Sequence, residues 1–226
     1  MSRGGRLDAW GGSVPIGLVA CVALALAARG LASPLEAASF VTGAVCVWLT
    51  VKENVWNFPI GLVNVATFGV VFARAGLYAD AALQAAYFAL CSRGWYLWAL
   101  GGEDRSGLKV AVAGAAERLG VAAAVAAMTA IVWPILARAG DSAPFWDALT
   151  TSISLGAQWL LNRKRLESWL AWILVDAIYV PLYASKELYL TAVLYAIFLG
   201  MAVLGLREWR ARADRSKPAV AAEVPG

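Results

Sequence analysis

Residues 77–98, LYADAALQAAYFALCSRGWYLW, and residues 188–209, LYLTAVLYAIFLGMAVLGLREW, lie 111 positions apart in this 226-residue chain and align without a gap. Leu77 and Tyr78 fall on Leu188 and Tyr189. Ala81, Leu83 and Ala85 fall on Ala192, Leu194 and Ala196, and Gly94 and Trp98 on Gly205 and Trp209. Both stretches therefore close on G-x-x-x-W. The same shift carries Trp48-Leu49 onto Trp159-Leu160, and Lys52 in the turn that follows onto Arg163. A register held through three successive apolar segments marks an internal duplication, one of the recurring designs of membrane transporters.

The rest of the chain is equally apolar. It is 61% hydrophobic and 15% charged, with a mean hydropathy of +0.67, where soluble domains carry about 45–50% apolar and about 25% charged residues. Apolar runs bounded by charge or turn residues predict eight spans, at 14–32, 35–51, 55–73, 77–100, 113–136, 145–161, 166–184 and 188–206. The expected organisation is an N-terminal segment (1–34) with an extra helix, a first three-helix repeat (35–100), a linker helix with its loops (101–144), a second repeat (145–210) and a disordered tail (211–226). Three crossings change sides, so two such repeats joined directly would be inverted. The linker helix restores the orientation and makes them parallel. The fold class is thus an all-α polytopic membrane protein of two parallel three-helix repeats around one linking helix.

Lysine and arginine counts set the sidedness. Arg3, Arg6, Lys52, Arg105, Lys109, Arg163, Lys164, Arg165, Arg207, Arg210, Arg212, Arg215 and Lys217 collect on one side, and only Arg29, Arg74, Arg138 and Lys186 on the other. Thirteen against four predicts both termini in the cytoplasm. The net charge of +4 is read as topology and some attraction to anionic membrane lipid, with no nucleic acid as partner.

Several chemistries are excluded. No Walker A pattern occurs, so ATP-driven work within the chain is not expected. Histidine is absent, which removes the commonest metal ligand and the easiest proton relay. Cys21, Cys46 and Cys91 lie far apart in apolar runs and read as small buried hydrophobes. No nucleophile or metal cluster is visible, so neither an enzyme nor a cofactor or metal is expected.

Polar side chains at mid-depth in a membrane usually face the bundle interior. The third span carries Asn64, and the fourth carries Gln84, Tyr87, Cys91 and Trp95 or Trp98 on one helical face. The sixth has a polar stripe of Asp147, Thr151, Ser154, Gln158 and Asn162; the seventh aligns Trp169, Trp172, Asp176, Tyr179 and Tyr183. Such a set suits a flat aromatic ring joined to a polyol, with indole and phenol planes stacking on the ring and attracting it further if cationic. Amides and a carboxylate would hold adjacent hydroxyls. Other readings stand beside this one. Trp56, Trp169 and Trp209 lie near span ends, where interfacial aromatics collect, and Asn64 and Gln158 would serve equally as interhelical hydrogen bonds. Arg93 is expected to snorkel.

Over residues 35–210 the sequence resembles the bacterial nicotinamide riboside transporter family (PnuC). The matching stretches are NFPIGLVNVATFG (57–69), residues 77–98, FWDALTTSISLGAQWLLNRKRLESWLAWILVD (145–176) and residues 188–209. The resemblance implies a three-plus-one-plus-three fold related to the SWEET sugar transporters, a homotrimer, and facilitated diffusion in a bacterial plasma membrane, made directional by intracellular phosphorylation that feeds NAD synthesis. Its binding motifs match Asn64, Gln84, Trp95 and Trp98 in the first half, and Trp169, Trp172 and Asp176 in the second. Tyr87, Gln158 and Tyr179 join the candidate substrate-binding set from the helical faces. The span before residue 35 departs from the seven-helix core. Nicotinamide riboside is the favoured substrate; riboflavin or thiamin is the alternative, and a ligand-binding receptor or non-catalytic subunit is the alternative of another class.

Overall fold

The computed structural model describes residues 17–22, 24, 28–30, 34–74, 78–102, 107–185, 187 and 189–215. Seven long helices fill them: α1 (Pro34–Val51), α2 (Asn57–Arg74), α3 (Tyr78–Leu100), α4 (Ala115–Arg138), α5 (Pro144–Asn162), α6 (Glu167–Ser185) and α7 (Tyr189–Arg215). Three of them are long and apolar enough to cross a membrane by length and composition: Ala115–Arg138, Glu167–Ser185 and Ala192–Arg215. Residues 17–22 are also helical, and Val19 is buried against Ala44 of α1 and Leu194 of α7. The remainder of the first expected span lies partly outside the described residues, as do Arg3, Arg6, Arg105, Lys186, Lys217 and the chain beyond Arg215. α7 runs through Arg215, past the position 211 at which a tail was expected to begin.

Each helix packs on its sequence neighbour within α1–α2–α3 and within α5–α6–α7. The two sets meet where α1 packs on α7 and α3 on α5, while α4 lies along α5. α4 is almost unburied, which suits its Ala/Val composition and exposed Leu119, Ile131, Trp133 and Ile135.

The helix ends explain how the halves join. α1 and α5 finish in the same cap. The amide of Asn54 donates to Leu49 O (2.8 Å) and that of Glu53 to Thr50 O (3.0 Å); the amide of Arg165 donates to Leu160 O and that of Lys164 to Leu161 O (both 2.9 Å). This pair of six-to-one and five-to-two bonds puts the residue after the cap in the left-handed region, usually a glycine. Here it is Glu53 (φ 55) and Lys164 (φ 51), residues 111 apart. Two of these carbonyls accept a second bond, crosswise from the other half. Trp209 Nε1 donates to Thr50 O and Trp98 Nε1 to Leu161 O, each at 3.2 Å.

Around these bonds lies the main core of Phe58, Trp98, Trp169 and Trp209 with Val51, Val110, Leu161 and Ala202. Phe58 meets Trp98 edge-on at 5.1 Å and Trp169 meets Trp209 edge-on at 5.4 Å, again equivalent pairs. Trp169 and Trp209, for which an interfacial place was open, are therefore core residues, whereas Trp56 is exposed. Gly94 and Gly205 sit one turn before the two tryptophans. A Cβ on Gly94 would collide with Phe58 and Asn162, and one on Gly205 with Trp169.

An ion cluster covers this core. Glu53 accepts from Lys164 Nζ through Oε2 and from Arg212 Nη1 through Oε1, both at 2.8 Å. Arg212 also reaches Glu208 at 3.2 Å, which lies 3.9 Å from Lys52. Burial pushes the Glu53 carboxyl up, but hydrogen bonds and charge from Lys164 and Arg212 outweigh it and hold the group below its ordinary value. Beside the cluster, Ala111 bridges the loop after α5, its amide donating to Lys164 O and its carbonyl accepting from Leu166 N, both at 3.0 Å.

Two measurements follow from this packing. Gly94→Ala and Gly205→Ala should each lower thermal stability in detergent, by about 1–3 kcal/mol for overpacking. Gly200→Ala, whose added methyl meets nothing within 4 Å, should leave it unchanged or slightly higher. The depressed Glu53 also has a definite sign in pH. Its contribution is complete above the unfolded carboxylate value of about 4.3 and is lost as pH falls through the lower folded value. Glu53→Gln should therefore flatten the acid side of the stability–pH curve, seen as a smaller difference in melting temperature between pH 6 and pH 3 (about 3 units).

Candidate functional site

Beneath the tryptophan core a cavity of about 310 Å³ lies between the two halves. Its wall repeats the duplication. Val47 and Gln158, Thr50 and Leu161, Phe58 and Trp169, Gly61 and Trp172, Val65 and Asp176, Tyr87 and Phe198, and Cys91 and Ala202 all line it, and each pair is separated by 111 residues. Gly43, Cys46, Asn57 and Tyr195 complete the wall. The backbone scaffold is matched while the side chains are not. Gln158, Trp169, Trp172 and Asp176 of the second half correspond to Val47, Phe58, Gly61 and Val65 of the first.

Of the ten candidate residues, Tyr87, Gln158, Trp169, Trp172 and Asp176 line this cavity. Tyr87 is hydrogen-bonded to Ser154, which ties α3 to α5. Gln158 Nε2 donates to Asn162 Oδ1 (3.0 Å), and Asn162 Nδ2 donates to Leu90 O (2.7 Å). The other five lie off the wall. Asn64 Nδ2 donates to Thr42 Oγ1 at 2.8 Å, an α1–α2 tie. Gln84 packs towards Gly69, where its Cβ would stand 3.5 Å from an added methyl. Trp95 is 42% exposed on the outside of α3. Trp98 is spent on the interlock. Tyr179, hydrogen-bonded to Thr150, joins Tyr183 and Tyr195 in an aromatic cluster with centroids 4.7–5.5 Å apart. Arg93 points away from the cavity, its guanidinium 4.1 Å over the Trp159 ring.

The sequence reading missed Thr50, Asn57, Gly61, Cys46, Tyr195 and Phe198. Asn57 and Gly61 open α2, and α1 and α7 carry no polar stripe to flag the other four, yet the repeat held the signal, since Tyr195 and Phe198 are the equivalents of Gln84 and Tyr87.

Two features bear on chemistry. Asp176 is 7% exposed, and no lysine or arginine among the described residues pairs with it. A carboxylate so placed within a membrane bundle is costly and marks a pathway or a ligand's counter-charge. Next, Asn57 Nδ2 donates to Thr50 Oγ1 (2.8 Å), but Asn57 Oδ1 and Trp169 Nε1 are buried without partners. Each such atom costs about 1–3 kcal/mol. What the wall offers is one carboxylate, one free amide edge and six aromatic rings around a space at the lower end of the range for small-molecule sites, roughly 300–1,000 Å³.

Comparison with known proteins agrees with this architecture. Residues 33–211 match the family model described as Nicotinamide mononucleotide transporter. The nicotinamide riboside transporter PnuC of Escherichia coli (strain K12) is 28% identical, covering 77% of this chain and 84% of that protein. The riboflavin/roseoflavin transporter RibM of Streptomyces davaonensis is also 28% identical, covering 82% and 88%. A crystal structure of the vitamin B3 transporter PnuC shares the fold with a TM-score of 0.70 at 24% identity, covering 92% of this chain and 94% of that one. Helices, cavity and relatives together define a multi-pass membrane transporter, a class distinct from enzymes. The chain belongs to the nicotinamide mononucleotide transporter family.

The cavity and the interlock assign different roles to neighbouring tryptophans. Trp98→Phe should lower the melting temperature, losing a buried hydrogen bond worth about 1 kcal/mol and packing besides, while leaving ligand affinity nearly intact. Trp172→Ala should do the reverse, weakening ligand-induced stabilisation with a smaller change in intrinsic stability.

Proposed function

We propose that this protein carries nicotinamide riboside across a bacterial plasma membrane by facilitated diffusion. The observation that carries the reading is Asp176, a buried carboxylate without a cation partner among the described residues, bordering a cavity walled by Trp169, Trp172, Tyr87, Tyr195 and Phe198. A pyridinium ring is both flat and positive, so it gains stacking from the rings, cation–π attraction and neutralisation of the carboxylate in one place. Gln158 and Tyr87 are the groups for the ribose hydroxyls. Uniport needs no ion-coupled relay, and phosphorylation of the arriving riboside in the cytoplasm supplies direction and feeds NAD synthesis.

The accompanying architecture is two parallel three-helix repeats about the linker α4, preceded by an extra helix, with both termini cytoplasmic. It is supported by the 111-residue matches in caps, cross-bonds and cavity wall, and by the distribution of Lys and Arg. The homotrimer rests on the family resemblance. The relative that carries riboflavin supports a second reading for the same site, and thiamin a third. A neutral flavin, however, makes no use of Asp176 and needs more room than about 310 Å³.

Binding of the three vitamins to purified protein by calorimetry tests the choice. The riboside should bind, and Asp176→Asn should weaken it by about tenfold or more, the scale of a desolvated cation–carboxylate contact (~1.5–3 kcal/mol). Riboflavin binding with no heat from the riboside would overturn the substrate. Proteoliposomes enclosing a riboside kinase and ATP should accumulate label with time; saturation at a stoichiometric level would instead indicate a receptor.

A further inference from the structure

We propose that Gly61 is a specificity-determining residue that sets the size of the ring the cavity admits. Gly61 lies within α2, where glycine is a poor helix former, so its presence calls for a reason. Packing does not supply one: an added Cβ would meet nothing within 4 Å, unlike those at Gly94 and Gly205. Gly61 nevertheless borders the cavity, and its equivalent in the other half is Trp172, also on the wall. One half thus supplies a ring and the other leaves the corresponding space empty. A matched tryptophan at 61 would take the volume a second ring must occupy.

This inference rests on the transport reading of the cavity. Its test is calorimetric titration of wild type, Gly61→Ala and Gly61→Val with nicotinamide riboside and with riboflavin, alongside melting temperatures. Each added methyl should lower affinity for whichever vitamin the wild type binds, on the order of tenfold per step, with melting temperature unchanged or raised in Gly61→Ala. Undiminished affinity in Gly61→Val overturns the inference. Failure of the wild type to bind either vitamin would sink the substrate reading instead.

A separate set of contacts carries a second inference. We infer that Glu53, with Lys164 and Arg212, is the gate that closes the cavity at the basic end of the bundle. Glu53 and Lys164 are equivalent cap residues, each holding a left-handed backbone where glycine is usual. Their side chains meet at 2.8 Å between the halves, and Arg212 binds the same carboxylate from α7. The Lys164 ammonium lies 4.6 Å over the Trp98 ring, so the ion pair is seated on the tryptophan layer. That layer rests in turn on Thr50, Phe58, Leu161 and Trp169, which line the cavity.

Cys46 and Cys91 line the cavity and report on its access. In a Cys21→Ser background, a membrane-impermeant maleimide is applied to right-side-out and to inverted vesicles. Glu53→Gln and Lys164→Gln should each raise labelling about threefold to tenfold from the face that bears Glu53, and from that face alone, with the double variant adding little. Arg212→Gln tests the other arm should either variant fold poorly. Glu117→Gln, which breaks the pairs with Arg163 and Arg165 on α4, should leave labelling unchanged. Unaltered labelling in the Glu53 and Lys164 variants, or an equal rise from both faces, overturns the gate. Absence of uptake by wild type would count against transport without touching this result.

Discussion

An indole N–H from each half of the protein ends on a carbonyl of the other, and most of the structure is arranged to make those two bonds possible. The last carbonyls of a helix have no partner within it. In a membrane, water is not at hand to supply one. α1 and α5 stop where Thr50 and Leu161 can accept from Trp209 and Trp98. Each of these carbonyls already accepts a cap amide of its own helix, from Glu53 and Lys164, and the indole adds a second bond from the other half, so the halves are tied together rather than merely adjacent. Gly94 and Gly205 belong to the same device. Lying four residues before the tryptophans, on the same helical face, they admit Phe58 and Trp169 against the indoles. The G-x-x-x-W repeat is therefore one functional unit, a space followed by a donor.

The motif and the 111-residue shift were readable in the sequence, as were the seven later helices to within a few residues, except that the last runs nine residues past its expected end at 206. The partner of each tryptophan was not. Helical periodicity assigns residues to a face but does not say which depth of that face meets the cavity. The stripe of Gln84, Tyr87, Cys91 and Trp98 on α3 is continuous, yet only its middle, Tyr87 and Cys91, reaches the cavity. Its ends go to helix packing at Gln84 and to the interlock at Trp98. Trp95 lies on the same helical face by spacing, yet it is 42% exposed. The lining contributed by α1 and α7 was hidden for a different reason. Those helices look uniformly apolar, and the clue was the equivalence between repeats rather than local composition.

The duplication also has a limit, and the cavity shows where it falls. Seven equivalent pairs line the wall, so the backbone keeps its two-fold character down to the site. The chemistry departs from it. Asp176 corresponds to Val65, Trp172 to Gly61 and Gln158 to Val47. A symmetric wall would present the same groups twice and bind an asymmetric ligand in two orientations. A wall with its charge, amide and paired indoles on one half, and its free volume on the other, holds such a ligand in one. Symmetry thus belongs to the backbone that frames the cavity, and asymmetry to the side chains that line it.

Energetics place the same boundary. Thr50 and Leu161 each touch three things at once: a cap amide of their own helix, an indole of the other half, and the cavity. Anything that displaces the cavity wall near them works against both cross-bonds. The unpartnered atoms of Asn57 and Trp169 lie at this level too, one from each half. Both atoms belong to residues of the cavity wall. The contacts that hold the halves together sit in the layer directly over the cavity that Asp176 lines.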